Sequence, residues 1–305
     1  MDSKELPESL IDTCICVDGE LRPPDEPHLL AYDRGILYGD GIYDSLPVYD
    51  NKALFIDRHI NRLYQSAQAA RIDIPVSKDR IKEWILKTLN KSLIEYGGCR
   101  IVITRGVGKQ GMRNTDVLNE PTIVIIPSRE DEEKMAYGQL TTEVARIVST
   151  RTIPPDSVDP KLKGLNYLDN ILAERELVGT DATAGIMLDQ QGRVAEAFDA
   201  NIFIIDDNGK IRTPDTVNSL AGITRAVVLE CLDDAGYEHK IGAVTPAELF
   251  SSQDVFLTGS GVGVSHVVEL NGQSLGKPSE TATNIAEKFR NVATSSEYET
   301  IDSDK

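Results

Sequence analysis

The alternation of apolar and polar positions divides this chain into short strands and amphipathic helices. Ile11 to Val17 is rich in β-forming residues and stops at Asp18-Gly19, a hairpin-turn pair. Gly35, Gly39 and Gly41 punctuate the next stretch, which reads as a loop feeding a strand over Ile42 to Tyr49. Asp50-Asn51 turns the chain, and Ala53 to Ile56 is the expected return strand. From Ile56 to Ala70, apolar residues recur at helical spacing (Ile60, Leu63, Tyr64, Ala67). A second stripe, Ile81, Trp84, Ile85, Leu89 and Leu93, predicts a helix over Lys78 to Tyr96, with Gly97-Gly98 as its terminator. Strands are expected from Arg100 to Arg105 and from Thr122 to Ile126, with an irregular loop, Gly106 to Asn119, between them.

A charged run from Ser128 to Lys134 precedes a new apolar pattern. It places a boundary there: a small N-terminal domain over 1–128, a linker over 129–137 and a larger domain over 138–305. A solvated helix end inside one domain is the alternative. Beyond it, Leu140 to Arg151 alternates like a strand, and Asn166 to Val178 has helical spacing. Turns at Asp189–Gly192, Asp206–Gly209 and Asn271-Gly272 each join a pair of strands. Ile223 to Ala235 and Thr281 to Ala293 read as helices, and Val255 to Gly259 as a strand running into a glycine-rich turn. Residues 1–9 read as a loose leader, and 297–305 as a disordered tail. This mixture of hairpins and helices argues for an α+β fold, α/β layers in two domains, and against a doubly wound parallel sheet.

Composition narrows the function. The 305 residues are 40% hydrophobic and 27% charged, an ordinary globular balance. The net charge of −17 leaves no basic patch to neutralise phosphates, which argues against nucleic-acid binding. No apolar run approaches the roughly 20 residues of a membrane span. The polar N-terminus shows no secretory pattern, so a cytoplasmic location is expected. Cys14, Cys16, Cys99 and Cys231 have the spacing of neither a zinc site nor a disulfide framework, and read as small core residues. His28, His59, His239 and His266 are scattered, and no metal is inferred.

Four separated features carry candidate chemistry. Lys163 sits just ahead of a helical pattern and after the irregular stretch holding Pro154, Pro155 and Pro160. A lysine there is ordinarily a solvated cation; aimed into a cleft, it can form an imine with a carbonyl cofactor. Glu196 follows a turn on a strand, where a carboxylate can hold a pyridinium nitrogen protonated. Gly222-Ile223-Thr224-Arg225 opens a helix whose first-turn N–H groups can cradle phosphate. Thr258-Gly259-Ser260-Gly261 is a second small-residue turn, able to donate to a phosphate or a carboxylate. Arg62 adds a guanidinium fork suited to phosphate. Each has a bland reading by itself, as a solvated carboxylate, a helix start or a surface arginine. Together they meet the needs of a pyridine, a phosphate, an aldehyde and a carboxylate.

In this order the features resemble the class IV aminotransferases, pyridoxal-phosphate enzymes of fold type IV. That family includes branched-chain amino acid aminotransferases, D-amino acid transaminases, (R)-selective amine transaminases and aminodeoxychorismate lyase. The likeness runs from about Val17 to Phe289. It is carried by the block from Asp33 to Asp44, by His59-Ile-Asn-Arg62-Leu, Lys163-Gly-Leu-Asn-Tyr167-Leu, Glu196 with Asn201-Ile-Phe, Thr213-Pro and Gly222-Ile-Thr-Arg. The resemblance implies two α/β domains with the cofactor between them and active sites completed across a homodimer. It makes Lys163 the lysine that holds pyridoxal phosphate, Tyr167 the partner of the cofactor's phenolic oxygen and Glu196 the partner of its ring nitrogen. Arg62, Ile223, Thr224 and Ser260 become the phosphate shell. Arg100 stands near the substrate carboxylate. Tyr38 and Tyr43 become pocket walls, and Arg113 and Gly261 further substrate contacts. The implied reaction moves an amino group between an amino acid and a 2-oxo acid, such as 2-oxoglutarate, in two half-reactions.

Substrate choice is where this chain departs from its family. Branched-chain enzymes carry Phe-Glu-Gly-x-Arg or a close relative where this chain has Tyr43-Asp44-Ser45-Leu46-Pro47. The loop Gly106 to Gly111 resembles theirs, but Met112-Arg113-Asn114 does not. A branched-chain L-amino acid is the leading expectation. A D-amino acid or an (R)-amine, or a lyase reaction on aminodeoxychorismate, are the alternatives.

Overall fold

The computed structural model describes residues 12–26, 29–108, 111–113, 120–135, 137 and 139–295. The expected leader, the expected tail, His28 and much of the Gly106–Asn119 loop lie outside the described residues. The chain forms two compact units. The first holds residues up to Lys134 and also Leu162–Asn166; the second holds Met135–Lys161 and Tyr167–Ser295. No helix among the described residues is long and apolar enough to cross a membrane.

The first unit opens with the hairpin β1 (Ile15–Val17) and β2 (Glu20–Arg22), turned at Asp18-Gly19. Helix α1 (Arg34–Tyr38) follows, where glycines had suggested only loop. Its cap explains the difference. Asp33 is fully buried and accepts from the Gly35 amide at 2.7 Å, while Gly39, at φ 65°, closes the turn. Gly35 is glycine for packing: a Cβ there would lie 2.4 Å from Thr104 Cγ2.

Strand β3 (Gly41–Tyr49) pairs with the short β4 (Lys52–Ala53). The expected return strand is cut short because Phe55 turns to φ 54° and Ile56 already begins α2 (Ile56–Ala70). Helix α3 (Lys78–Lys91) is capped by Ser77 and ends at Ser92, with Leu93 left-handed at φ 50°. Gly97-Gly98 is therefore not its terminator. Both glycines begin β5 (Gly97–Thr104), and a Cβ on Gly97 would meet the Ser128 carbonyl oxygen at 2.0 Å. Strand β6 (Thr122–Arg129) completes a sheet of order β2-β1-β6-β5-β3-β4, antiparallel throughout. Inward residues of β3, β5 and β6, among them Ile42, Leu46, Ile101, Ile103 and Ile125, pack against Ile60 and Leu63 of α2 and Ile81, Ile85 and Leu89 of α3.

The second unit starts with β7 (Thr141–Arg151), then α4 (Leu168–Arg175). Helix α4 is shorter than its apolar spacing suggests at both ends. Asn166 belongs to the first unit, and Glu176, the C-cap, turns its carboxylate to the amides of Ser149 and Thr150. Strands β8 (Ala184–Leu188), β9 (Val194–Ala197), β10 (Asn201–Ile205) and β11 (Ile211–Thr213) lead to α5 (Ile223–Ala235). After β12 (His239–Ile241) and the short α6 (Pro246–Phe250) come β13 (Asp254–Gly259), β14 (Gly263–Leu270), β15 (Gln273–Ser274) and α7 (Glu280–Ala293). The sheet order is β12-β11-β10-β13-β14-β7-β8-β9, with β15 beside β14. Pairings β11–β12, β14–β7 and β7–β8 are parallel and the others antiparallel, the mixed arrangement expected of an α+β chain. Helices α5 and α7 lie together over β13 and β14, and α4 packs on β7 and β8.

Candidate active site

Lys163 lies in the irregular stretch that returns to the first unit. Its backbone is fixed at both polar groups. The Lys163 N–H donates to Ser66 Oγ at 3.2 Å, and its carbonyl accepts from the Tyr43 amide at 2.9 Å. The Leu165 amide donates to the Gly41 carbonyl at 3.1 Å, and Gly164 bridges Ile42. Lys163 thus sits as a one-rung extension on the start of β3, with α2 contributing Ser66 from its buried face. Its Nζ stands 4.6 Å from the Tyr43 ring centroid, within cation–π range.

Arg62 projects from the same buried face of α2. Its Nε and Nη2 each reach one oxygen of Asp44, both at 2.7 Å, forming a two-pronged pair. His59, one turn earlier, places Nδ1 2.7 Å from Asp44 Oδ1. Burial works against the Asp44 charge, but the His59 ring and the Arg62 guanidinium more than offset it and hold the carboxyl well below the usual range. Burial pushes the His59 pKa down, against the pull of Asp44. The consistent state is an ionised Asp44, a charged Arg62 and a neutral His59 that donates from Nδ1. His59 and Ser66 flank Arg62 on α2, and the sequence reading did not single them out as site residues. Their helical spacing from Arg62 was the available signal.

Arg100 is exposed on β5, opposite Ser45 on β3. Its Nε donates to Ser45 Oγ at 3.2 Å, and its guanidinium carbon is 5.0 Å from the Tyr43 ring centroid. Tyr38 ends α1, and its hydroxyl accepts from the Gly111 amide at 2.8 Å. Arg113 is exposed, two residues farther on. The structure thus brings Lys163, Tyr43 and Arg100 together, with Arg62 on the helix that anchors Lys163.

A second set of candidates belongs to the second unit. Glu196 lies on β9, and its carboxylate accepts from the Leu220 amide at 3.0 Å. The Leu220 carbonyl in turn accepts from Asn201 Nδ2 at 2.9 Å. Helix α5 begins at Gly222 without a side-chain cap, which leaves its first-turn N–H groups, including those of Ile223 and Thr224, as donors for an anion. Tyr137 links this turn to the other: its hydroxyl donates to the Ser260 carbonyl at 3.0 Å and also bonds Thr224. Burial raises the Tyr137 pKa and keeps the phenol neutral. Tyr137 is a residue that sequence reasoning missed, because a lone tyrosine in a stretch read as linker carries no spacing signal. Ser260 is half-buried and Gly261 exposed at the β13–β14 turn, and Tyr167 stands at the N-cap of α4. Arg225 does not face outward: it donates to Thr213 Oγ1 and the Pro214 carbonyl, so the Thr213-Pro block is structural.

The donor set has the chemistry of a phosphate-bearing pyridine. An uncapped helix N-terminus suits a dianion, and a carboxylate held by a backbone amide suits a protonated ring nitrogen. Residues 41–270 match the model of the family described as Amino-transferase class IV. The chain belongs to the class IV aminotransferase family.

Among its relatives is a putative branched-chain-amino-acid aminotransferase of Methanocaldococcus jannaschii, 31% identical over 285 residues, covering 92% of this chain and 96% of the relative. A D-alanine aminotransferase of Bacillus licheniformis is 25% identical over 292 residues, covering 94% and 99%. A solved branched-chain aminotransferase from the thermophilic archaeon Thermoproteus uzoniensis, with norvaline, shares the fold with a TM-score of 0.86. It is 22% identical, with coverage of 95% of this chain and 99% of that one.

Gly222 tolerates little change, because a Cβ there would lie 1.9 Å from Asn201 Oδ1. Displacing Asn201 disturbs Leu220, whose amide donates to Glu196. Gly222→Ala is therefore expected to weaken pyridoxal-phosphate binding roughly tenfold or more in an absorbance titration. An unaltered affinity contradicts this chain of contacts.

Proposed function

We propose that this class IV aminotransferase uses pyridoxal phosphate to move amino groups between branched-chain L-amino acids and a 2-oxo acid such as 2-oxoglutarate. The observation that carries the proposal is the presentation of Lys163, with both backbone polar groups tied and Nζ projecting to an aromatic ring. The branched-chain relative, at 31% identity, supports the substrate class.

Pyridoxal phosphate held by Lys163 would supply a carbonyl-derived carbon that exchanges the lysine nitrogen for the substrate's, and a ring that withdraws electrons from the carbon attached to that nitrogen. The residues of the chain then have separable tasks. Nζ of Lys163, once the substrate amine has displaced it, would be the base that takes the proton of the substrate α-carbon. Glu196 keeps the ring nitrogen protonated, and Tyr167 orients the ring through its phenolic oxygen. Arg62, Ile223, Thr224 and Ser260 hold the phosphate. Asp44 and His59 fix the guanidinium of Arg62, so that its orientation costs nothing at the moment of binding. Arg100 takes a substrate carboxylate, Tyr38 and Tyr43 bound the substrate, and Arg113 and Gly261 add polar contacts.

A second copy of the chain is proposed as partner. Leu168, Ile171 and Leu172 project from α4 at i, i+3, i+4 spacing and are each at least half exposed, an apolar stripe that association would cover. Four thiols, buried or half-buried and free, suit a reducing cytoplasm.

Single-turnover loss of the bound cofactor's visible band tests the reaction. L-leucine and L-glutamate are expected to bleach it, while D-alanine and an (R)-arylalkylamine are not. Conversion by D-alanine without L-leucine overturns the substrate proposal, and pyruvate release from aminodeoxychorismate without an acceptor overturns the reaction type. For the dimer, sedimentation should give about twice the 33.5 kDa chain mass. A fully active species at the monomer mass contradicts it.

A further inference from the structure

Strands β3 and β5 pair with Ser45 opposite Arg100 and Tyr43 opposite Val102. Alternation along β3 puts Tyr43 and Ser45 on one face and the buried Asp44 and Leu46 on the other. On the open face Arg100 is exposed, and a long cation on an exposed strand ordinarily samples many rotamers. Here two neighbours restrict it. Ser45 Oγ accepts from Nε at 3.2 Å, and the Tyr43 ring lies under the guanidinium at 5.0 Å. With the Nε edge engaged, neither Nη group has a hydrogen-bond partner among the described residues. The fork that suits a carboxylate is turned outward. The Nζ of Lys163 stands 4.6 Å from the same ring, so the two cations share one aromatic platform.

We infer that Ser45 is a specificity-determining positioning residue: by engaging Nε, it aims the Nη groups of Arg100 at the distal carboxylate of a dicarboxylic substrate. The inference rests on the proposed transamination and on the carboxylate role of Arg100. Where the family pattern has glycine at this position, this chain has a hydroxyl that can hold the arginine. Pro47, two residues along the same strand, occupies the family's basic position without a charge.

The test uses holoenzyme and two unreactive acids, glutarate and 4-methylpentanoate, titrated by calorimetry. Ser45→Ala is expected to weaken glutarate about tenfold and leave 4-methylpentanoate unchanged. The KM for 2-oxoglutarate rises by a similar factor at unchanged kcat, and Ser45→Thr, which keeps a hydroxyl, restores both. Equal weakening of the two acids in Ser45→Ala overturns the inference, because a structural role moves both. Loss of the glutarate preference in Arg100→Gln, with no effect of Ser45→Ala, overturns it while leaving the role of Arg100 intact. An unchanged glutarate affinity in Arg100→Gln overturns both.

Discussion

The backbone of Lys163 is tied at its N–H to Ser66 and at its C=O to Tyr43, and the flanking Gly164 and Leu165 are tied to the start of β3. This anchoring is the constraint on which the proposed chemistry depends. A lysine side chain has four rotatable carbons, and its reach is useful only from a fixed origin. The stretch before it is irregular, so the fixing cannot come from regular secondary structure. It comes from a strand edge and from one serine on a buried helix face. The first unit's sheet and α2 thus serve as the mount for a residue that arrives from much later in the chain.

The same helix face carries the buried charge cluster. Asp44, His59 and Arg62 are all buried, and a buried carboxylate without partners would cost several kcal/mol. Here three side-chain hydrogen bonds at 2.7 Å and the Ser45 amide at 2.8 Å satisfy it. Such a cluster is a weak source of net stability. Its value is orientation: the Arg62 guanidinium is locked before any anion arrives. The shorter Asp44, in place of the family's glutamate, still reaches both Arg62 and His59, so this departure from the family pattern leaves the cluster intact.

Much of this was legible in the sequence because local patterns and tertiary demands agreed. Helices α2 and α5 run over the residues their apolar spacing predicts, since each buries one stripe against a sheet. Lys163, Glu196 and the α5 start could be read as candidates for chemistry because their residue types are unusual in combination. Other features were decided by contacts far away in the chain. Gly35 and Gly97 look like helix breakers in isolation, yet each is glycine because Thr104 or Ser128 occupies the space of a side chain. Helix α1 depends on Asp33, which the hydroxyls of Thr104 and Thr122 also hold. Ser66 was signalled only by its helical spacing from Arg62, and Tyr137 gave no signal at all, being an ordinary residue whose role exists only once the chain has folded.

The claim that most needs testing is that Lys163, and no other lysine, carries the cofactor. Borohydride reduction of the pyridoxal-phosphate-loaded protein fixes the attachment permanently, and peptide mass mapping locates it. The account predicts stoichiometric labelling of the peptide containing Lys163. Stoichiometric labelling at any other lysine, with Lys163 unmodified, contradicts it.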